Sequence, residues 1–157
     1  MADQSSVKIM TTPPDLLKRM ERYPRQLDGV MQEAAKASLL VIQENVPAYP
    51  QQKPDSQYTR TGYLGRSMGA GQSGGAIGQP DIYVIKKVGE ASYEGEFGSR
   101  ADYAPQVIGE QSQKAFFKER GWWTTKTIAQ KATEKVNKVY QMAAEKMVAW
   151  LDGRGQQ

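Results

Sequence analysis

The sequence contains neither cysteine nor histidine. Without cysteine there is no disulfide, no thiolate zinc site and no thiol nucleophile. Without histidine the commonest general base and the commonest metal ligand are both missing. These absences weigh against an enzyme, and the expectation is a protein that turns over no substrate and needs no cofactor. Long apolar runs are missing as well: no stretch approaches the ~20 residues that span a bilayer. The opening Met1-Ala2-Asp3-Gln4-Ser5-Ser6 lacks a signal-peptide pattern. The expectation is synthesis in the cytoplasm, no membrane partner, and exit from the cell only inside an assembly.

What is present fits one folded unit. A chain of 157 residues is close to the usual domain size and buries roughly 70% of its unfolded surface on folding. The apolar fraction is 39% and the charged fraction 24%, with a mean hydropathy of −0.66. The excess polarity sits in loops rather than in one tail. Net charge is +4, and the basic surplus concentrates toward the C-terminus. Residues 1–50 hold six basic and six acidic side chains, 51–100 six and five, and 101–157 nine and six. A surplus of that size ordinarily means a solvated face.

Pro13, Pro14 and Asp15 can open a short helix, with Leu16, Leu17, Met20 and Tyr23 on one stripe until Pro24. From about Arg25, residues Leu27, Val30, Met31, Ala34, Ser38, Val41 and Ile42 recur at helical spacing. Pro47 sets the limit, because the residue before proline is driven out of the helical region; the prediction is a helix over 25–45. Residues 47–57, rich in proline and glutamine, and 69–80, with five of the 15 glycines, read as mobile loops. Tyr63-Leu64 and Ser67-Met68 are expected to begin a strand that dissolves into those glycines. Ile82 to about Val88 is β-branched and aromatic, and Tyr93 to Phe97 alternates apolar with polar. With Gly89 to Ser92 between them, they predict an antiparallel hairpin. Tyr103 to Gly109 suits a single helical turn. From Thr125 to Asp152, Ile128, Ala132, Val136, Val139, Ala143, Met147 and Trp150 mark a second long helix, stopped by Gly153. Its apolar seam is expected to lie under the sheet. The fold class is α+β, a small antiparallel sheet packed against two long helices with long polar loops.

Four features suggest chemistry, and each has a plainer reading. Gly69-Ala70-Gly71-Gln72-Ser73-Gly74 matches the dinucleotide-binding glycine pattern. That pattern works only between a strand and a helix N-terminus, and neither flank qualifies; a loop is the reading adopted. Phe116, Phe117, Trp122 and Trp123, interleaved with Lys118 and Arg120, resemble a stacking platform for single-stranded nucleic acid. Adjacent tryptophans are costly to expose, so burial in a core or at a subunit contact is preferred. Glu94 and Glu96 share a strand face, as acid and base groups would, but strand surfaces carry such pairs for solubility. Lys131, Lys135 and Lys138 form a stripe on the last helix that reads as solvation, with Glu134 placed to pair with Lys138.

Pro47, then Tyr58-Thr59-Arg60-Thr61-Gly62-Tyr63-Leu64-Gly65-Arg66-Ser67, then Tyr103-Ala104-Pro105-Gln106-Val107-Ile108-Gly109 carry a resemblance. In that order, between an amphipathic helix and an aromatic segment with a C-terminal helix, they resemble the head–tail joining and tail-completion (neck) proteins of long-tailed bacteriophages. The likeness spans about residues 25–152. Gly109-Glu110-Gln111 and Arg120-Gly121-Trp122-Trp123-Thr124 are similar to a phage and prophage subgroup. Ile108 departs from the pattern, where many members carry glutamate. Arg60, Thr61, Gly62, Leu64, Ser67, Tyr103, Ala104 and Gly109 are the motif residues.

The resemblance implies a structural virion protein at the head–tail interface, in a homo-oligomeric ring that is usually a hexamer. It would join the tail tube or tail terminator to the portal with its adaptor or stopper, with DNA only passing through the lumen. The expected organisation is an N-terminal arm over 1–24, a connector domain over 25–152 and a disordered tail over 153–157. Ring closure needs two different contact patches. The candidates are the strand edge at Ile82, Val84 and Lys86, and the aromatic segment at Phe116, Phe117, Trp122 and Trp123. The alternative from another class is a nucleic-acid-binding module using the basic, aromatic C-terminal third.

Overall fold

The computed structural model describes residues 6–11, 24–57 and 59–151. The short helix expected around Leu16 to Tyr23, Tyr58 of the motif, the Gly153 stop and the 153–157 tail lie outside the described residues. In chain order the elements are β1 (Ser6–Thr11), α1 (Pro24–Glu44), α2 (Tyr63–Ser67), β2 (Ile82–Gly89), β3 (Ser92–Gly98), α3 (Ala104–Ile108), α4 (Ala115–Glu119) and α5 (Thr125–Leu151). The fold is α+β, a three-stranded antiparallel sheet with two long helices.

The sheet order is β1-β3-β2, so the expected hairpin forms and its second strand becomes the centre. Val7 and Tyr83 both stand opposite Phe97. Phe97 and Val7 are buried, and Phe97 is wholly enclosed. Alternation then sends Val84, Lys86, Glu94 and Glu96 to the face away from the helices. The turn between β2 and β3 holds Ala91 at a φ of 47°, a left-handed conformation suited to a tight hairpin. β1 is a correction, since residues 1–24 were expected to form only an arm with a short helix. Val7 and Ile9 alternating with Ser6 and Lys8 is the period-2 signal that marks it.

α1 follows its predicted face, but the buried band also takes in Ala35 and Leu39. The reason is that α1 is covered twice, by β3 on one side and by α5 on the other. α5 corrects a second expectation: its seam lies chiefly along α1 and meets the sheet mainly at β1. Ile128 and Ala132 join the main core with Phe97, Leu39 and Ile42. Met147 joins a smaller cluster with Leu27, Met31 and Tyr93 near the hairpin turn. Val136 is only half-buried. The predicted pair of Lys138 with Glu134 is present at 2.9 Å, and Lys135 reaches Asn45 at 3.1 Å.

The proline-rich and glycine-rich loops, expected to be mobile, are fastened to each other. Tyr49 N–H donates to the Gln72 carbonyl at 2.8 Å, and Gly75 N–H to the Val46 carbonyl at 2.9 Å. Gln43, buried near the end of α1, donates through Nε2 to the carbonyls of Gly69 and Gly78 at 2.7 and 2.6 Å. Gly74, at a φ of 83°, lies against the Val46–Ala48 backbone, where a Cβ would stand 2.7 Å from Ala48 N. The glycine pattern thus serves close backbone packing between two loops. Ser67-Met68 also departs from expectation: Tyr63–Ser67 is a helical turn, entered through Gly62 at a φ of 70°. The Thr61-Gly62 bend is where positive φ is needed.

Candidate functional site

The three motif segments lie far apart in sequence and meet at one end of the molecule. α2 is locked from below by Ser67, whose buried hydroxyl donates to the Leu64 carbonyl at 2.8 Å and shares a hydrogen bond of 2.5 Å with Ser99. From above, the Tyr49 hydroxyl accepts the Gly65 N–H at 2.5 Å. A Cβ on Gly65 would stand 2.9 Å from the Ala70 carbonyl oxygen and 3.0 Å from that hydroxyl, so the small residue lets the layers close. Leu64 and Ala104 are core residues, as is Ile108. The position where the resemblance expects glutamate is therefore fully enclosed here, which suits isoleucine. Gly109 ends α3 in an extended conformation, its N–H bonded to the Pro105 carbonyl at 2.9 Å.

The aromatic segment folds over this platform. Gln113 Nε2 donates to the carbonyls of Val107 at 2.8 Å and Trp122 at 3.0 Å, and Trp122 N–H donates to the Phe117 carbonyl at 3.0 Å. Trp122 packs on Tyr49 with ring centroids 4.8 Å apart, and Phe117 stands edge-on to both Trp122 and Phe116. Tyr63 and Tyr103 form a second ring pair at 6.4 Å, both exposed. Trp123 corrects the expected patch: it is only 4% exposed and belongs to the core, so it has no surface to offer a partner. Ile82, Val84 and Lys86 stand apart from this cluster, on the uncovered side of the edge strand β2.

Between the motif and the aromatic segment lies a cavity of about 450 Å³. Arg60, Val107, Phe117 and Trp122 form its walls, and Gln52, Gln106 and Arg120 stand at its polar margin. The Arg60 guanidinium lies 5.4 Å from the Trp122 ring centroid and 5.9 Å from that of Tyr49, and it donates to the Pro50 carbonyl. Arg120 lies 4.0 Å from the Phe116 centroid. Each guanidinium thus lies within cation–π reach of a ring, and Arg60 keeps the N–H groups not used on the Pro50 carbonyl for further hydrogen bonds. Neither arginine takes part in an ion pair among the described residues. Tyr49 was not singled out from the sequence. An aromatic residue stranded in a proline-rich loop was the signal for Tyr49.

A larger apolar groove of about 740 Å³ runs between α1 and α5, but none of the motif reaches it and its rim mixes Arg25, Glu33 and Lys146. Among the described residues no group of carboxylates is arranged to hold a metal ion, and no helix is long and apolar enough to cross a membrane. Comparison with known proteins gives no matching family model, no matching curated protein and no matching solved structure.

Proposed function

We propose that this chain is a non-enzymatic structural subunit of a long-tailed phage particle, one copy in a ring at the joint between head and tail. The observation that carries the reading is the convergence of the resemblance's motifs. Arg60–Ser67, Tyr103–Gly109 and Phe116–Trp122 build a single pre-organised surface, with core residues beneath and stacked arginines on top. A rigid surface of exposed aromatics and arginines is the composition of an interface centre. The open edge of β2, with Tyr83, Val84 and Val88 all more than a third exposed, supplies a second and different patch, as a closed ring requires. Neighbours on the axis would be the portal with its adaptor or stopper on one side and the tail tube or terminator on the other.

The nucleic-acid reading is disfavoured by the rings themselves. A base stacks on an aromatic face, and Trp122 is half-buried, with Tyr49 packed on it and Arg60 5.4 Å from its centroid, while Arg120 covers one face of Phe116. Negative-stain microscopy of the purified protein tests the proposal: closed rings are the expected species. A monomer at every concentration, together with its absence from purified particles, would contradict it.

A further inference from the structure

We infer that the cavity between Arg60 and Arg120 is a docking site for an acidic, extended peptide segment of a partner protein. It anchors one apolar side chain and takes its carboxylates on the two guanidiniums. The inference deepens the assembly reading, on which it rests, by naming the chemistry of the partner at this surface.

Charge supplies the first argument. The segments that build this end, residues 50–66 and 100–126, hold eight of the 21 basic side chains against four of the 17 acidic ones. That excess of four equals the whole net charge of +4, so the rest of the chain is balanced. A second copy therefore brings no net complement to this end, which favours a segment of another protein as the occupant. Glu110, the one acid of these segments in a described ion pair, is already held by Lys126 at 3.0 Å.

Geometry supplies the second. Arg60 and Arg120 are held near Trp122 and Phe116 by cation–π contacts, and Arg60 also by the Pro50 carbonyl, which limits the side-chain entropy lost on binding. Planar guanidinium edges match carboxylates in paired hydrogen bonds. Val107 is buried at the cavity wall beside Phe117, which provides an apolar floor for the anchor. A cavity of about 450 Å³ admits a few side chains of an extended segment, and Gln52 and Gln106 can hydrogen-bond its backbone. Single-stranded nucleic acid meets the same charge but finds Trp122 part-covered by Tyr49 and Arg60.

Selection of a random short-peptide library on the immobilised full chain tests this. Enriched peptides should carry aspartate or glutamate beside an aromatic or branched apolar residue. Their affinity should fall about tenfold or more with Arg120→Gln, the loss expected for a charge-assisted hydrogen bond. Arg60→Gln should do the same; because Arg60 also holds the Pro50 carbonyl, Arg120→Gln is the variant that keeps the loop intact. Enrichment without acidic residues, equal binding to the folded Arg120→Gln protein, or displacement of the peptides by oligodeoxythymidylate at equal concentration would each overturn the inference. Negative-stain microscopy of the same Arg120→Gln protein keeps the two readings apart: rings that persist while acidic-peptide binding is lost support both, whereas rings lost together with that binding make the cavity a contact between copies, which overturns the inference and leaves the ring.

Discussion

The two ends of the long helix α1 are held by different means. At its C-terminal end, Gln43, Ser67, Ser99 and Tyr49 tie two loops and a helical turn together through short hydrogen bonds, most of them shielded from water. At its N-terminal end, the hairpin turn rests on a small cluster of Leu27, Met31, Tyr93 and Met147 and on the pair of Lys87 with Asp28 at 2.6 Å. The first end is fixed by directional bonds, which specify geometry. The second is fixed mainly by apolar contact, which tolerates adjustment. A pre-organised end is where a binding surface loses least on association, and it is the end that carries the motifs, the stacked arginines and the net charge.

Breaking the main core should have the largest effect. Phe97→Ala removes an enclosed ring on the central strand and should cost about 3–5 kcal/mol, read as a large fall in the chemical-denaturation midpoint. Val136→Asp is milder, because that side chain is half-buried on α5 and a carboxylate there can turn toward water. A loss of about 1–3 kcal/mol is expected, and a melt identical to wild type would contradict the packing of α5 on α1.

The ends are separated more sharply by Gln43→Leu, which removes the side-chain donor from the Gly78 carbonyl and leaves the Gly69 carbonyl only the Ile77 and Gly78 N–H groups. It should cost about 1–3 kcal/mol and speed amide exchange across residues 69–78, with the hairpin turn unchanged. Uniform acceleration at both ends would show that they are not independent.

Proton linkage probes the other end. Burial, and then the bond and charge of Asp28, push the Tyr93 hydroxyl up from 10.0 to about 12. A raised value means the unfolded chain releases its proton first, so this stabilisation is complete below pH 10.0 and is lost as pH rises toward about 12. Tyr93→Phe should flatten that part of the alkaline stability profile. Asp28 shifts the opposite way, lowered chiefly by its hydrogen bond to Lys87. Its contribution is present above the ordinary carboxylate range and disappears as pH falls through the depressed value. The pair is half-exposed, so Asp28→Asn should change stability by less than about 1 kcal/mol, the smallest effect foreseen.

Helix periodicity and the hairpin were legible because each is a local pattern: Leu27 to Ile42, Ile128 to Trp150, and Ile82 to Phe97 announce their own spacing. β1 was missed because its six residues are paired only by β3, almost ninety positions away. The fastening of the glycine loop was illegible for a related reason, since its partners are Gln43 and the backbone of residues 46–49. Trp122 and Trp123 are neighbours in sequence, yet one lines the cavity and the other enters the core. Composition gives no means of telling them apart. Arg60, Gly62 and Tyr103 stand out in their own segments, but their meeting with Tyr49 and Arg120 depends on tertiary packing that no single segment encodes.

The role proposed for this surface is to join the head and tail of a particle. The direct measurement is electron microscopy of lysates from a gene-deleted phage, complemented with wild type or with a Phe116→Ala, Trp122→Ala chain shown to be folded by circular dichroism. Full heads and separate tails should accumulate in the deletion and in the double variant, and wild type should restore tailed particles. Normal tailed particles from the folded double variant would remove the aromatic surface from the joint, and normal particles from the deletion would contradict the connector itself.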